Sequence, residues 1–180
     1  MRETTKSPSA ELPERVSCAN GRGTAVSSFS ESTTTDAPRD RVWEVLADIG
    51  SIHVWNPGVK DSHSTSDAPG GEGATRHCDL QRPNGKGAGY LEERAFDWDQ
   101  GRGYRIEITD SNLPFKRAVI FFELADAEGS TLVTVSPDYG LRFGPIGRLL
   151  DRVAVKRRYA AGMRSLLGGL RRYVETGEAE

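Results

Sequence analysis

The sequence predicts an α+β domain: a curved antiparallel sheet of seven strands wrapped around one long C-terminal helix, with two short helices after the first strand. Three observations lead there. Six short β-leaning runs follow one another between Val59 and Ser136, separated by clusters of Gly, Asn, Asp and Pro. Beyond Pro145 no proline occurs as far as Val174, and apolar residues recur at helical spacing. Ahead of both, a run of β-branched and hydroxyl residues gives way to a proline-led amphipathic segment.

Residues 1–24 are rich in Ser, Pro, Glu, Gly and Arg and hold almost no large apolar side chains. Such a composition cannot repay its own ordering entropy, so this tail is predicted to be disordered. The domain is expected over residues 25–176, with a short tail at 177–180. From Val26 the run AVSSFSESTTT (starting at Ala25) suits a strand with one wet face. Asp36-Ala37-Pro38 then starts a helix, with Pro38 at the first helical position, where its missing N–H costs nothing, and Asp40 near the exposed amides. Val42, Val45, Leu46 and Ile49 fall on one face. The stretch LADIGSIHVWNP, Leu46 to Pro57, begins as helix and closes on a Trp-Asn-Pro that cannot continue one; it reads as a connector of fixed shape returning the chain to the sheet.

The six runs are Val59–Ser66, Ala74–Arg82, Gly89–Trp98, Tyr104–Thr109, Ala118–Leu124 and Thr131–Ser136, and the linkers between them carry hairpin signals, so a meander is expected. The last run stops at PDYGLRFG, which breaks the pattern. Leu149, Val153, Ala160, Met163, Leu167, Leu170 and Val174 then mark the stripe of the long helix, which Thr176-Gly177 ends. That stripe needs a surface to cover, and the concave face of the sheet is the one large enough. A curved sheet closed on a single helix leaves a gap between them.

Composition excludes several classes of function. The chain has 180 residues, one domain's worth, and its 24 basic and 26 acidic residues leave a net charge of −2, without the basic field of a DNA-binding protein. Cys18 and Cys78 form neither a disulfide framework nor a CxxC motif, which suits a reducing cytoplasm. No run of 18 apolar residues and no signal-type apolar segment is present, so a cytoplasmic protein without a transmembrane segment is expected. His53, His63 and His77 lack metal-ligand spacing, the glycine clusters sit in hairpins rather than between strand and helix, and no nucleophile elbow occurs. Neither a metal nor a cofactor is expected.

The order of strand, two short helices, six-stranded meander and long helix resembles the START-like (SRPBCC) superfamily, the helix-grip fold of the birch-pollen allergen and the polyketide cyclase/dehydrase-like proteins. The motif that carries the resemblance is PRDRVWEVLADIGSIHVWNPGV, Pro38 to Val59, with weaker echoes in AFDWD at Ala95–Asp99 and GSTLVTV at Gly129–Val135. The resemblance implies that the two short helices cradle the C-terminal helix at one end of a pocket, with Trp55 covering that end and Pro57 setting the turn.

Alternation on the strands offers Tyr104, Ile106, Ile120 and Phe122 as pocket-lining residues, joined by Val153 and Met163 from the long helix. Leu113 and Phe115 fall in a loop that resembles a lid, and Asp138 and Tyr139 where the last strand gives way to a loop. On the strand GYLEERAFDW neither face is cleanly apolar: Tyr90, Glu92, Arg94, Phe96 and Trp98 share one, and Leu91, Glu93, Ala95 and Asp97 the other. If the first set turns inward, Glu92 and Arg94 meet the ligand, and Glu92 with His77 are the acid/base candidates. The basic residues of the long helix, Arg148, Arg152, Lys156, Arg157, Arg158, Arg164, Arg171 and Arg172, suit an anionic membrane or RNA, but a solvated outer face explains them more simply.

Three functions fit this reading. The first, preferred because no catalytic constellation is visible, is binding of a hydrophobic or aromatic small molecule by a monomer or homodimer. The second is a polyketide cyclase, aromatase or dehydratase using one pocket acid/base residue, and the third a coenzyme-Q-binding or ribosome-associated protein that docks on a partner.

Overall fold

The computed structural model describes residues 27–142 and 155–178. The disordered tail expected at 1–24 and the first turns expected of the long helix, Val153 among them, lie outside the described residues. Along the chain come β1 (Ser27–Ser28), β2 (Glu31–Thr35), α1 (Arg39–Ala47), a 3-10 segment (Ile49–Val54), β3 (Val59–Ser64), β4 (Thr75–Gln81), β5 (Gly87–Asp99), β6 (Gly103–Ser111), β7 (Phe115–Ala127), β8 (Ser130–Leu141) and α2 (Lys156–Thr176). One antiparallel sheet holds every strand in the order β1-β8-β7-β6-β5-β4-β3, with β2 also on β8.

The single N-terminal strand expected from sequence is thus split in two, and the split has a local cause. β1 and β2 pair with β8 in one continuous register, Ser28 opposite Asp138 and Glu31 opposite Val135. The break falls opposite Pro137, which has no N–H to donate. The same proline was expected to end the last strand near Ser136; instead β8 runs on to Leu141, because β7 supplies a full partner on its other side, from Ala127 opposite Ser130 to Phe115 opposite Leu141.

α1 starts from Pro38, whose carbonyl accepts the Val42 amide (3.2 Å), and buries Val42, Trp43, Val45 and Leu46. The chain leaves α1 through the 3-10 segment. The Asn56 amide donates to the Ile52 carbonyl (2.9 Å), and the Asn56 side chain accepts the Gly58 amide (3.0 Å), which turns the backbone into β3. This shape serves a close approach. α2 crosses here, and a β-carbon at Gly169 would stand 2.0 Å from the Trp55 carbonyl oxygen and 2.9 Å from Pro57. Only glycine lets the helix backbone lie on that turn. Elsewhere α2 is fixed by Arg164 to Glu31 (2.6 Å) and by Glu175, which accepts the Asp36 amide at 3.0 Å.

Candidate functional site

The side of the sheet facing the helices is built by alternation. β6 contributes Tyr104 and Ile106, β7 Ala118, Ile120, Phe122 and Leu124, β8 Val133, Val135 and Tyr139; all are buried. They meet Met163, Leu166, Leu167 and Leu170 of α2. Into this apolar wall β4 and β5 insert a charged pair. Arg76 and Glu93 stand directly opposite in the register, each only 3% exposed, and the Arg76 Nε donates to Glu93 Oε2 at 2.6 Å.

The pair has a further shell of partners. Arg76 Nη1 donates to the Ile49 carbonyl (2.9 Å), tying the 3-10 segment to the sheet. Cys78 Sγ lies 3.6 Å from Glu93 Oε2. Burial acts against the guanidinium's charge, but the Glu93 carboxylate outweighs it and raises the Arg76 pKa, so the cation persists. Burial pushes the Cys78 thiol up to about 12, so it is a neutral, unreactive thiol. Tyr104 donates its hydroxyl to the Leu46 carbonyl (2.8 Å).

Aromatic rings close the two ends. Trp43, Trp98, Tyr104 and Phe122 pack together beside α1, with Tyr104 stacked on Trp98 at 4.7 Å. At the opposite end Phe29, Phe115 and Tyr139 surround Tyr159 from the first turn of α2, at ring distances of 5.6, 5.6 and 5.0 Å. Tyr159 leaves part of its ring exposed, yet burial of its hydroxyl, with Glu93 and Tyr139 nearby, pushes its pKa upward. The phenol is therefore a neutral hydrogen-bond donor. The indole N–H groups of Trp43 and Trp55 are buried with no hydrogen-bond partner among the described residues.

Residues 27–175 match the family model described as polyketide cyclase / dehydrase and lipid transport. The chain belongs to that family. Solved structures agree on the fold. A protein of Thermus thermophilus is 19% identical with a TM-score of 0.70, over 85% of this chain and 100% of that one. An aromatase/cyclase (Zhui) of Streptomyces sp. R1128 is 17% identical with a TM-score of 0.66, over 87% and 100%. A START superfamily protein of Mycobacterium smegmatis is 17% identical with a TM-score of 0.66, over 82% and 97%. No curated protein matches the chain in sequence.

Within this cyclase/dehydrase-family domain the sequence-predicted site residues divide sharply. Tyr104, Ile106, Ile120, Phe122, Tyr139 and Met163 lie on the inner side, and Trp55 is buried where α2 meets the 3-10 segment. Leu113 sits half-buried in the β6–β7 turn; Phe115, expected in a lid loop, is the first residue of β7 because it pairs with Leu141. Tyr139, expected at the end of a strand, lies inside β8, while Asp138 points outward, exposed.

The acid/base pair expected from sequence is corrected. Of the two faces of β5, the inward one carries Leu91, Glu93 and Ala95, so Tyr90, Glu92 and Arg94 stand on the outer side of the sheet. A bulge at Phe96–Asp99, which holds Asp97 at φ 51, resets the alternation and turns Trp98 back in. His77 likewise lies outside. It bonds Glu92 (2.6 Å), stacks on Tyr90 and packs by His63, while Arg94 pairs with Glu107 and Tyr90 donates to Asp110 (2.8 Å). The interior carboxylate is Glu93, which the sequence reading did not single out.

The outer cluster makes a measurable prediction. The hydrogen bond to Glu92, helped by Asp79, raises the His77 pKa above its ordinary 6.5. A histidine whose folded pKa is raised contributes stability that is fully present below the unfolded value and is lost as pH rises through the folded one. Glu92→Gln is expected to bring the His77 titration, followed by NMR, back toward 6.5 and to flatten the decline of stability as pH rises above that value. An unchanged midpoint refutes the assignment.

Proposed function

We propose that this domain binds a hydrophobic, largely aromatic or acyl small molecule between the inner side of the sheet and α2. The observation that carries this reading is a desolvated Arg76–Glu93 pair set in a largely apolar wall that ends in the aromatic cluster around Tyr159. Small-molecule sites have this makeup, many apolar contacts and a few placed polar groups that fix orientation. The family match supports it at the level of ligand binding or cyclase chemistry. Among the described residues no helix is long and apolar enough to cross a membrane.

Native mass spectrometry of the purified chain tests this directly. The expected result is a non-covalent adduct of a few hundred daltons that is lost on denaturation, or one that forms on incubation with 2-naphthol or dodecan-1-ol. The three tryptophans, Trp43, Trp55 and Trp98, all pack in or on the core, so binding is also expected to change intrinsic fluorescence. Bare protein in every condition, with unchanged fluorescence, overturns the reading.

A second reading, cyclase or dehydratase activity on a poly-β-ketone, is favoured by the family description and by Tyr159. A neutral phenol at the end of an apolar wall can donate to a substrate carbonyl oxygen and stabilise its enol form. Tyr159→Phe is expected to lower turnover at least tenfold while leaving binding within about twofold; equal rates for the two proteins exclude Tyr159 from that role.

A further inference from the structure

The pairing of β6 with β7 stops at Glu107 opposite Val119. Beyond it both strands continue on their other neighbours, β6 to Ser111 along β5 and β7 back to Phe115 along β8. The sheet therefore parts between Ile108–Ser111 and Phe115–Ala118. A bulge lies on each flank: Thr109 is the extra residue against β5, and Lys116 the extra residue against β8. Bulges end pairing and re-aim side chains, and they gather beside functional sites.

The resulting groove, about 50 Å³, has room for a small polar head rather than an acyl chain. Lys116, Arg117 and Arg142 are among its lining residues, Arg142 held by its Nε bond to the Phe115 carbonyl at 2.7 Å. Neither Lys116 nor Arg117 has an ion-pair partner among the described residues. The groove's one carboxylate, Asp110, already accepts the Tyr90 hydroxyl at 2.8 Å. Two of its lining residues adjoin the site described above: Ile108 stands opposite Glu93 in the register, and Phe115 packs on Tyr139 and Tyr159 at 6.0 and 5.6 Å.

We propose that the parted end of β6 and β7 is the entrance to the ligand site and its headgroup subsite. It takes single-chain amphiphiles with an anionic head, a carboxylate or phosphate held by Lys116, Arg117 and Arg142, with the apolar tail passing Phe115 toward the interior. The inference rests on the reading of that interior as a ligand site. Exposed charge contacts are individually weak and screened by salt, so the subsite adds selectivity to an affinity supplied by the tail.

The test titrates dodecanoate, dodecan-1-ol and dodecyltrimethylammonium, each below its micelle concentration, into the full chain and into the K116Q/R117Q variant, reading tryptophan fluorescence. Dodecanoate is expected to bind wild type about tenfold more tightly than dodecan-1-ol, with the cation weakest. In the variant, and in wild type at 0.5 M NaCl, that preference is expected to fall below about twofold, while dodecan-1-ol binding holds. Binding of dodecan-1-ol with no preference for dodecanoate overturns the headgroup subsite and leaves the ligand site standing. Binding of none of the three overturns both. Sedimentation with phosphatidylglycerol vesicles without a preference for monomeric dodecanoate also overturns it, since the cations then serve a membrane surface instead.

Discussion

Glu93→Leu is expected to cost the domain about 3–5 kcal/mol of stability, because it leaves the Arg76 guanidinium buried with its main counter-charge gone. The Ile49 carbonyl still accepts one of its donors, but a carbonyl dipole does not neutralise a desolvated cation. Measured against a typical total of about 5–15 kcal/mol, that is a large share. The pair as a whole is a different matter. Desolvating two charges costs about as much as their attraction returns, so the double variant Arg76→Met with Glu93→Leu is expected to recover most of the loss. Urea denaturation of the two single variants and the double completes the cycle, with a coupling energy of about 3 kcal/mol expected. If Glu93→Leu alone unfolds at the wild-type midpoint, the pair is not buried as the structure has it. If the double variant is stable but no longer binds a ligand that wild type binds, the pair is retained for the ligand and not for the fold.

That pair also marks the limit of what the sequence discloses. The architecture was legible because it rests on patterns many residues long: turn clusters between β-leaning runs, and an apolar stripe running through α2 to Val174. On β4 the signal was present but passed over: Cys78 and Leu80 are apolar while His77 and Asp79 are not, so alternation places Arg76 inward and turns the acid/base candidate His77 outward. On β5 the same argument fails. Leu91 and Ala95 argue for one face, but Tyr90, Phe96 and Trp98 argue as strongly for the other, because Trp98 returns to the interior only through the bulge at Asp97. A strand of even alternation does not exist there, and a one-residue slip exchanges Glu93 for Glu92. The signal that resolves it is the partner: an inward arginine on β4 calls for an inward acid opposite, and only the register supplies Glu93. Pro137 misleads in the converse way. Its missing N–H weakens pairing on one side of β8, where the N-terminal strand breaks, and leaves the β7 side intact.

Gly169→Ala tests how the opening turn of the domain holds the helix. In an ordinary exposed helix the exchange of glycine for alanine adds about 1 kcal/mol, through lower backbone entropy in the unfolded chain and better helix propensity. Gly168, the neighbour, has nothing within 4 Å of where its β-carbon would go, so Gly168→Ala is expected to show that gain. At Gly169 the same methyl group meets the Trp55 carbonyl oxygen at 2.0 Å, an atom of a turn pinned by the Asn56–Ile52 and Asn56–Gly58 bonds and followed by Pro57. Neither side gives easily, so α2 must lift from the turn. The expected net loss is about 3 kcal/mol, the overpacking cost exceeding the propensity gain. Thermal unfolding of the two variants side by side reads opposite signs from one chemical change. Lifting α2 there also withdraws Leu166 and Leu170 from the core, so a ligand held between helix and sheet is expected to bind more weakly in Gly169→Ala and normally in Gly168→Ala. Equal stability of the two variants denies the contact between helix and turn on which the width of the site depends.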